Sequence, residues 1–559
     1  ANFPPPDPTP MKFKLTLRPE DAWKPIGKSA RTEDNIRHLL RRASWTARPA
    51  DVRKLVAIGP EKATDYLFKQ ANYPEHHPVV DAFPDHIDKE LGSEIDQAIS
   101  WARNNKKWSS RIAKIKTQSY RDPHARAIIV AHHNYQRNEA RENNKKNKFD
   151  KQFRDRFGQG DMWNKYAHKW FDIANQPRNS PVEKLNQFLQ NVLVVNYRTL
   201  ASSSDDAVAD LHNHHRVIRN NLFGSYPDMC KKMFKGRGMG YMLDIIGSTK
   251  ARPNENFARE LMELFTMGVD NGYDEEDIKE AARAFTGYVI NPDVSPYSIK
   301  KGESELILDE SRHDDTRKRV LKRSSKMDGD EIIDTIFRRP ECETYLPHML
   351  SHHCLIDGGL PEEYLKPLGE SWRDAKFNVY WLIETFFRSK IFYDPVFRGQ
   401  IYKSPFQFYL GLLQDLGLQV EPSHEILREM DYLGQPFANP PDVNGWNGAA
   451  FWMNNGTINA RRIMVERLFS GSYRRGSKVT SAGAANYVVT DELIRLFIDT
   501  GDRTDEETVD HFVTYLLAVP PVEKYRNLLY EHYRKKSNKV AALREIILTI
   551  LQSPYYQVC

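Results

Sequence analysis

Apolar runs long enough to cross a bilayer are missing: the longest, such as Val192 to Val195, are a few residues where a membrane helix needs roughly 18. No membrane-spanning helix is expected. Cysteine is sparse, with four in 559 residues (Cys230, Cys342, Cys354 and Cys559), and none falls in C-x-x-C or C-x-x-C-H. Zinc ribbons, thioredoxin-type redox chemistry and attached c-type haem therefore lose their basis. Cys342 and Cys354 are able to pair in an oxidising compartment; four buried free thiols are the alternative. The phosphate-cradling G-x-x-x-x-G-K-S/T, the dinucleotide G-x-G-x-x-G, H-E-x-x-H, G-x-S-x-G and the EF-hand loop are all absent. Neither a cofactor nor a metal is expected, and an enzyme site would have to be assembled from distant segments. Glycine (29) and proline (32) are at ordinary usage, which excludes collagen-like and low-complexity chains.

What is present suffices for a large core: 40% hydrophobic and 11% aromatic residues with 28% charged ones. The formal net charge of +6 is unevenly placed. Between Trp101 and Trp170 there are 18 Lys/Arg against 6 Asp/Glu, a local +12, so the other 489 residues sum to −6. The chain starts at Ala1 and runs into Pro4-Pro5-Pro6-Asp7-Pro8, which reads as an extended arm of the kind left by signal-peptide removal. Export to the periplasm or cell surface is the expectation.

Helix punctuation recurs. Pro49 opens a helix with Val52, Leu55 and Val56 on one stripe, and Gly59-Pro60 closes it and opens the next. Asn254 reads as an N-cap, with Phe257, Leu261, Leu264 and Phe265 on one face and Gly268 as the stop; Asp274 and Asp277 then form a capping box for a helix from Glu275 to Phe285. Period-two alternation is scarce, and Glu303 to Leu308 is the best short strand or hairpin. The expected fold is mainly α, a large multi-helix globular body with long loops and at most a short β-hairpin. Residues 1–30 form an arm and 31–559 a single body, in which 137–170 is a basic helical insertion. Candidate linkers are 73–84, 176–181 and 291–302, and 436–455 is a long polar loop rich in Asn, Gly and Pro.

The run Asn254-Glu255-Asn256-Phe257-Ala258-Arg259-Glu260-Leu261-Met262-Glu263-Leu264-Phe265-Thr266-Met267-Gly268-Val269, continued by Tyr273 to Tyr288, resembles the signature of the bacterial family called domain of unknown function 1800. Arg37 to Ala43, Leu433 to Phe437, Pro440 to Trp446 and Ser553 to Gln557 agree with it, so the resemblance spans nearly the whole chain. It implies an exported bacterial protein and no established reaction. The chain departs from the family at Glu183 to Leu193, where two histidines usual in relatives are replaced by Gln190 and Val192. Any metal binding or proton transfer those histidines perform in relatives is unavailable to Gln and Val. Ser351-His352-His353-Cys354 also departs, and 137–170 has no counterpart in the family.

Several constellations carry chemistry. Asn256, Glu260 and Glu263 are spaced i, i+4, i+7 on one helix face, where two carboxylates can share a proton, hold a cation or orient a sugar hydroxyl. Arg259 is within reach of Glu255 or Glu263, and Arg283 is a candidate buried counter-ion; a merely salt-bridged face is the plainer reading. His212, His214 and His215 form the densest histidine cluster, with Asp206 or Asp210 nearby, yet no second ligand pair has diagnostic spacing. His132-His133 and His352-His353 are weaker, because adjacent helical residues diverge. Arg312-His313-Asp314-Asp315 offers either a His/Asp pair or a turn and cap. Asn444 and Trp446 stand out in the polar loop. Trp163, Tyr166 and Trp170 follow i, i+3, i+7 and read as packing, while Lys145, Lys146 and Lys148 head a basic docking surface.

The leading expectation is an exported helical binding or scaffold protein acting in an extracellular or envelope-associated assembly. Its partner is another protein, a second copy of itself or an anionic polysaccharide, with nucleic acid disfavoured. The alternative is a hydrolase or lyase on envelope or extracellular polysaccharide, with Glu260 and Glu263 as the working carboxylates, His313 assisting, and Asn256, Arg259, Arg283, Asn444 and Trp446 binding. A redox-associated subunit, suggested only by abundant Tyr and Trp, comes third.

Overall fold

The computed structural model describes residues 15–27, 30, 32–71, 84–142, 159–297, 299–300, 302–446, 448–471, 487–498 and 503–559. The candidate linker 73–84 and the lysines at 145, 146 and 148 lie outside them, the linker but for its last residue. The fold is mainly α, and no helix among the described residues is long and apolar enough to cross a membrane. Two compact units are present: Ala1–Asn72, Phe171–Val192 and Cys342–Cys559 form the first, and Tyr73–Trp170 with Leu193–Glu341 the second.

The first unit is built on the helices Glu33–Ala43, Ser180–Val192 and Pro405–Leu416. Thr32 accepts the Asn35 backbone N–H and starts the first of these, as an N-cap threonine should. Ser180–Val192 is buried along almost its whole length, polar residues included. Burying polar side chains is costly unless they are hydrogen-bonded. Lys184 accordingly donates to the carbonyls of Arg41 (3.0 Å) and Ser44 (2.8 Å), and burial lowers its ammonium to about 8. Trp45, fully buried, donates its indole N–H to Ala174 O at 2.8 Å. Asp415 accepts from Thr46 and from the Tyr556 hydroxyl (2.8 Å), while the Lys403 ammonium sits 3.2 Å from the Tyr556 ring centre. Backbone bonds from Lys403 to Gln557 O and from Cys559 to Ile401 O, each 2.8 Å, tie the last residues into this core.

Pro49–Ile58 and Pro60–Lys69 follow the punctuation seen in the sequence, with Gly59 between them at φ 81°. All four cysteines are buried free thiols.

The second unit has its own core, in which Leu91, Ile95 and Ile99 of the helix Pro84–Arg103 meet Ile128 and Ile129 of Pro123–Glu142, with Tyr120 and Tyr297 alongside. Trp163, Tyr166 and Trp170 pack as the spacing indicates: Trp163 stacks on Tyr197 at 3.8 Å, and the Tyr166 hydroxyl bonds His215 Nδ1 at 2.5 Å. Tyr288–Ile290 pairs antiparallel with Leu306–Leu308, inside the segment that the alternation marked. A second ribbon joins Arg317–Val320 to Arg323–Lys326. Its two-residue turn, Leu321 and Lys322, has positive φ at both positions, a geometry normally announced by Asn-Gly; Leu-Lys carries no such signal.

Trp45→Ala should lower the stability of the first unit by about 3–5 kcal/mol, the range for deleting a large buried aromatic, read as a lower urea midpoint for that unit's transition. An unshifted midpoint would mean that Trp45 does not organise this core.

Candidate functional site

The helix that carries the signature starts at Asn256 behind Glu255, one residue later than a cap at Asn254 implies, and does not continue as a plain α-helix. Asn254 Oδ1 accepts the Asn256 N–H at 2.9 Å, Asn256–Glu260 is α-helical, and Leu261–Thr266 is a π-helical turn. The wider turn alters the register after Glu260, which leaves Phe257, Leu261 and Phe265 buried and Leu264 half out. Asn256 is exposed and donates to Asp244 Oδ2 at 2.8 Å. Arg259 ion-pairs three carboxylates: Glu255 (3.1 Å), Glu263 (3.5 Å) and Glu275 (2.7 Å). Hydrogen bonding to Glu275 is the foremost reason that its guanidinium is held above the ordinary value. Glu260 is half-buried on the same segment.

Arg283 and His313 come together nearby through Thr286. His313 Nδ1 donates to Thr286 O at 2.8 Å, Asp314 N donates to the Thr286 hydroxyl, and Asp314 ion-pairs Arg283 at 2.8 Å. A carbonyl only accepts, so His313 carries its proton on Nδ1. A Cβ at Gly287 would stand 2.7 Å from His313 N, and Gly287 has φ 82°, so only glycine allows this close approach.

Asn444 and Trp446 belong to the first unit. Gly445, at φ 82°, passes so near Asn191 that a Cβ there would lie 2.3 Å from Asn191 Oδ1, and that same oxygen accepts the Trp446 N–H at 2.7 Å. Asn444 is exposed and its backbone N–H turns back to Asp442. Gln190 and Val192 are buried close by in sequence, and Phe188 lies 5.0 Å from the His353 ring.

The densest polar convergence is one that motif reading missed. In the second unit, a cleft of about 570 Å³ is lined by Arg111, Arg126, Ser204, Asp206, Arg237 and Tyr241, among others. Small-ligand pockets commonly fall between about 300 and 1,000 Å³. At its floor, Asp206 receives Nε and Nη2 of Arg126, the Tyr297 hydroxyl (2.9 Å) and Nη2 of Arg237 (3.2 Å). Arg237 Nε lies 3.1 Å from Asp210, and the Ser204 hydroxyl donates to Asp210 at 2.5 Å. Behind them Glu305 accepts from Asn213 (3.0 Å) and from the Arg237 backbone N–H (3.1 Å). All three carboxylates are buried, but their protonation differs. Burial would raise Asp206, yet Arg126 and Arg237 together outweigh it and hold Asp206 below its ordinary range. For Asp210 burial prevails over Arg237, helped by Glu305 and Asp206, and the carboxyl is pushed up to about 7. One carboxyl held ionised and one whose titration is moved to near neutrality, four residues apart, make this a tuned site rather than a plain salt bridge.

The family model described as protein of unknown function (DUF1800) matches residues 38–558. The chain belongs to that family. No curated protein matches it, and no solved structure matches it.

Within this DUF1800 chain the histidine cluster has local partners. His214 Nε2 bonds Leu193 O at 2.7 Å, His215 bonds Tyr166, and His212 meets the Tyr166 ring edge-on. Among the described residues no group of three His, Cys, Asp or Glu side chains could hold a metal ion. In the sequence Asp206 and Asp210 stand out only as neighbours of those histidines. Their i, i+4 spacing at a helix start, behind Ser202-Ser203-Ser204, was the available signal; Arg126, Arg237 and Glu305 are too distant in sequence to have given one.

Asp206→Asn would leave Arg126 and Arg237 buried without their shared counter-charge, and should destabilise the second unit by about 3–5 kcal/mol. Asp210→Asn should be far milder and should alter pH dependence. The native Asp210 carboxyl titrates near 7 against 3.8 for an ordinary aspartate, so its favourable contribution is complete below about pH 4 and is lost as pH rises to 7. Urea unfolding from about pH 4 to 8 should show that slope in the parent and its flattening in Asp210→Asn; parallel profiles would refute the assignment.

Proposed function

We propose that this chain is a binding protein that docks an anionic polymer on the basic face of its second unit, within an exported or envelope-associated assembly. The observation that carries the reading is the clustering of exposed cations around Trp108. Arg103, Lys106, Lys107, Lys114 and Lys116 are all exposed. Lys107 Nζ and the Arg111 guanidinium lie 5.6 and 5.9 Å from the Trp108 ring centre. Arg111 in turn lines the cleft, so the exposed face and the buried arginines are joined through one residue. A face of this kind attracts polyanions at long range and loses affinity as salt rises. Acidic polysaccharide is the partner that fits an exported protein. The lysines at 145, 146 and 148 add to the basic excess of the same sequence region.

A hydrolase or lyase built on Glu260 and Glu263 draws less support. Arg259 joins Glu263 to Glu255 and Glu275 in a partly solvated ion-pair cluster, which is an arrangement that serves a helix junction without a ligand.

The combined variant Lys106→Glu, Lys107→Glu, Lys114→Glu should elute from an immobilised polyuronate column at markedly lower salt than the parent, with a shallower dependence of retention on salt. Equal retention of the two folded proteins would sink the docking reading.

A further inference from the structure

We propose that the cleft of the second unit is a binding site for the carboxylate of an acidic sugar, with Arg126, Arg237 and Arg111 as the recognising cations and Ser203 and Tyr241 as neutral polar contacts. The inference rests on the docking reading and gives it a defined pocket: the exposed cations gather the polymer, and the cleft takes one sugar-acid group from it.

Three features of the geometry argue for such a ligand. The first is that Arg126 is nine-tenths buried and only partly used. Its Nε and Nη2 are engaged by Asp206, whereas its Nη1 has no hydrogen-bond partner among the described residues, and the residue lines the cleft. A guanidinium is a planar fork suited to carboxylates, and a nitrogen left open at a polar cleft is a donor awaiting an acceptor.

The second is that the guanidinium groups are held in place before a ligand arrives. Asp206 bridges Arg126 and Arg237, and the Arg126 guanidinium lies over the Tyr120 ring, 3.9 Å from its centre. A fixed fork loses little freedom on binding, which raises affinity without new contacts.

The third is charge. Among the charged residues lining the cleft, Arg111, Arg126 and Arg237 outnumber Asp205 and Asp206 by one. That balance suits a single negative charge and disfavours a phosphate dianion next to Asp206. The cleft also offers hydroxyls for a sugar ring, since Ser202, Ser203 and Tyr241 line it.

The test is calorimetric titration of the whole chain with trigalacturonate, with its fully methyl-esterified, neutral counterpart, and with inorganic phosphate. One saturable site for trigalacturonate is expected, with no measurable binding of the ester. Arg111→Gln, at the half-exposed mouth, should weaken trigalacturonate by about tenfold, the loss of one charge-assisted bond. Arg126→Lys keeps the charge against Asp206 but removes the fork, and should lose at least as much while remaining folded by circular dichroism. Absence of saturable binding to the folded parent, equal binding of the ester, or tighter binding of phosphate would each overturn the sugar-carboxylate site. Salt-dependent retention of the parent on the polyuronate column is read separately. Retention without trisaccharide binding removes the pocket and leaves the docking face; loss of retention removes the docking reading itself.

Discussion

The constraint on which the second unit depends is the burial of one carboxylate between two arginines. Asp206 has almost no access to solvent, and neither Arg126 nor Arg237 has much more. Ions so placed are tolerable only with near-complete pairing, because each loses several kcal/mol of hydration on leaving water. Pairing therefore dictates the surroundings. The helix Pro123–Glu142 must present Arg126, the helix Arg237–Met242 must present Arg237, and Tyr297 must reach in with its hydroxyl. Gly238 permits that approach: a Cβ there would stand 3.2 Å from Asp210 O. Asp210 and Glu305 are then neighbours of a cluster that is already ionised, and burial together with those neighbouring carboxylates moves the Asp210 titration up to about 7.

The first unit meets the same difficulty by a different route. Its central helix Ser180–Val192 buries Glu183, Lys184, Asn186 and Gln187, and its lysines are satisfied by backbone carbonyls and an aromatic face more than by carboxylates. Where full ions do pair, they form a compact triad of Arg467 with Glu421 (2.9 Å) and Glu429 (2.5 Å). Such networks resist replacement of single members, since removing one leaves the others buried and unpaired.

Function in this reading grows from an asymmetry of charge. An exposed basic face and a cleft floored by guanidinium groups share Arg111, so long-range attraction and short-range recognition can act on the same ligand. The signature segment stands apart from this. Its π-helical turn, its Arg259 cluster and the Arg283–Asp314 pair are concerned with joining helices to ribbons, and Gly287 against His313 shows how tightly that junction closes.

Much of the architecture was legible because it rests on local rules. Pro49, Gly59, Pro60, Asp274 and Asp277 act within a turn of their own position, so helix starts and stops could be read directly, as could the packing role of Trp163, Tyr166 and Trp170. The family membership was legible for a similar reason, in contiguous runs. What local rules do not contain is the partner of a buried charge. Arg126 and Asp206 are 80 positions apart, and Arg237 and Glu305 are 68. The π-turn that reorients Glu263 and the Leu321–Lys322 turn of the second ribbon also lie beyond propensity, since neither contains the residues that usually mark such geometry. The sequence by itself determined a mainly helical chain, the starts and stops of several of its helices and an uneven distribution of charge. Only the tertiary structure decided which charges are buried together, because ion burial is a property of the three-dimensional neighbourhood and not of spacing along the chain.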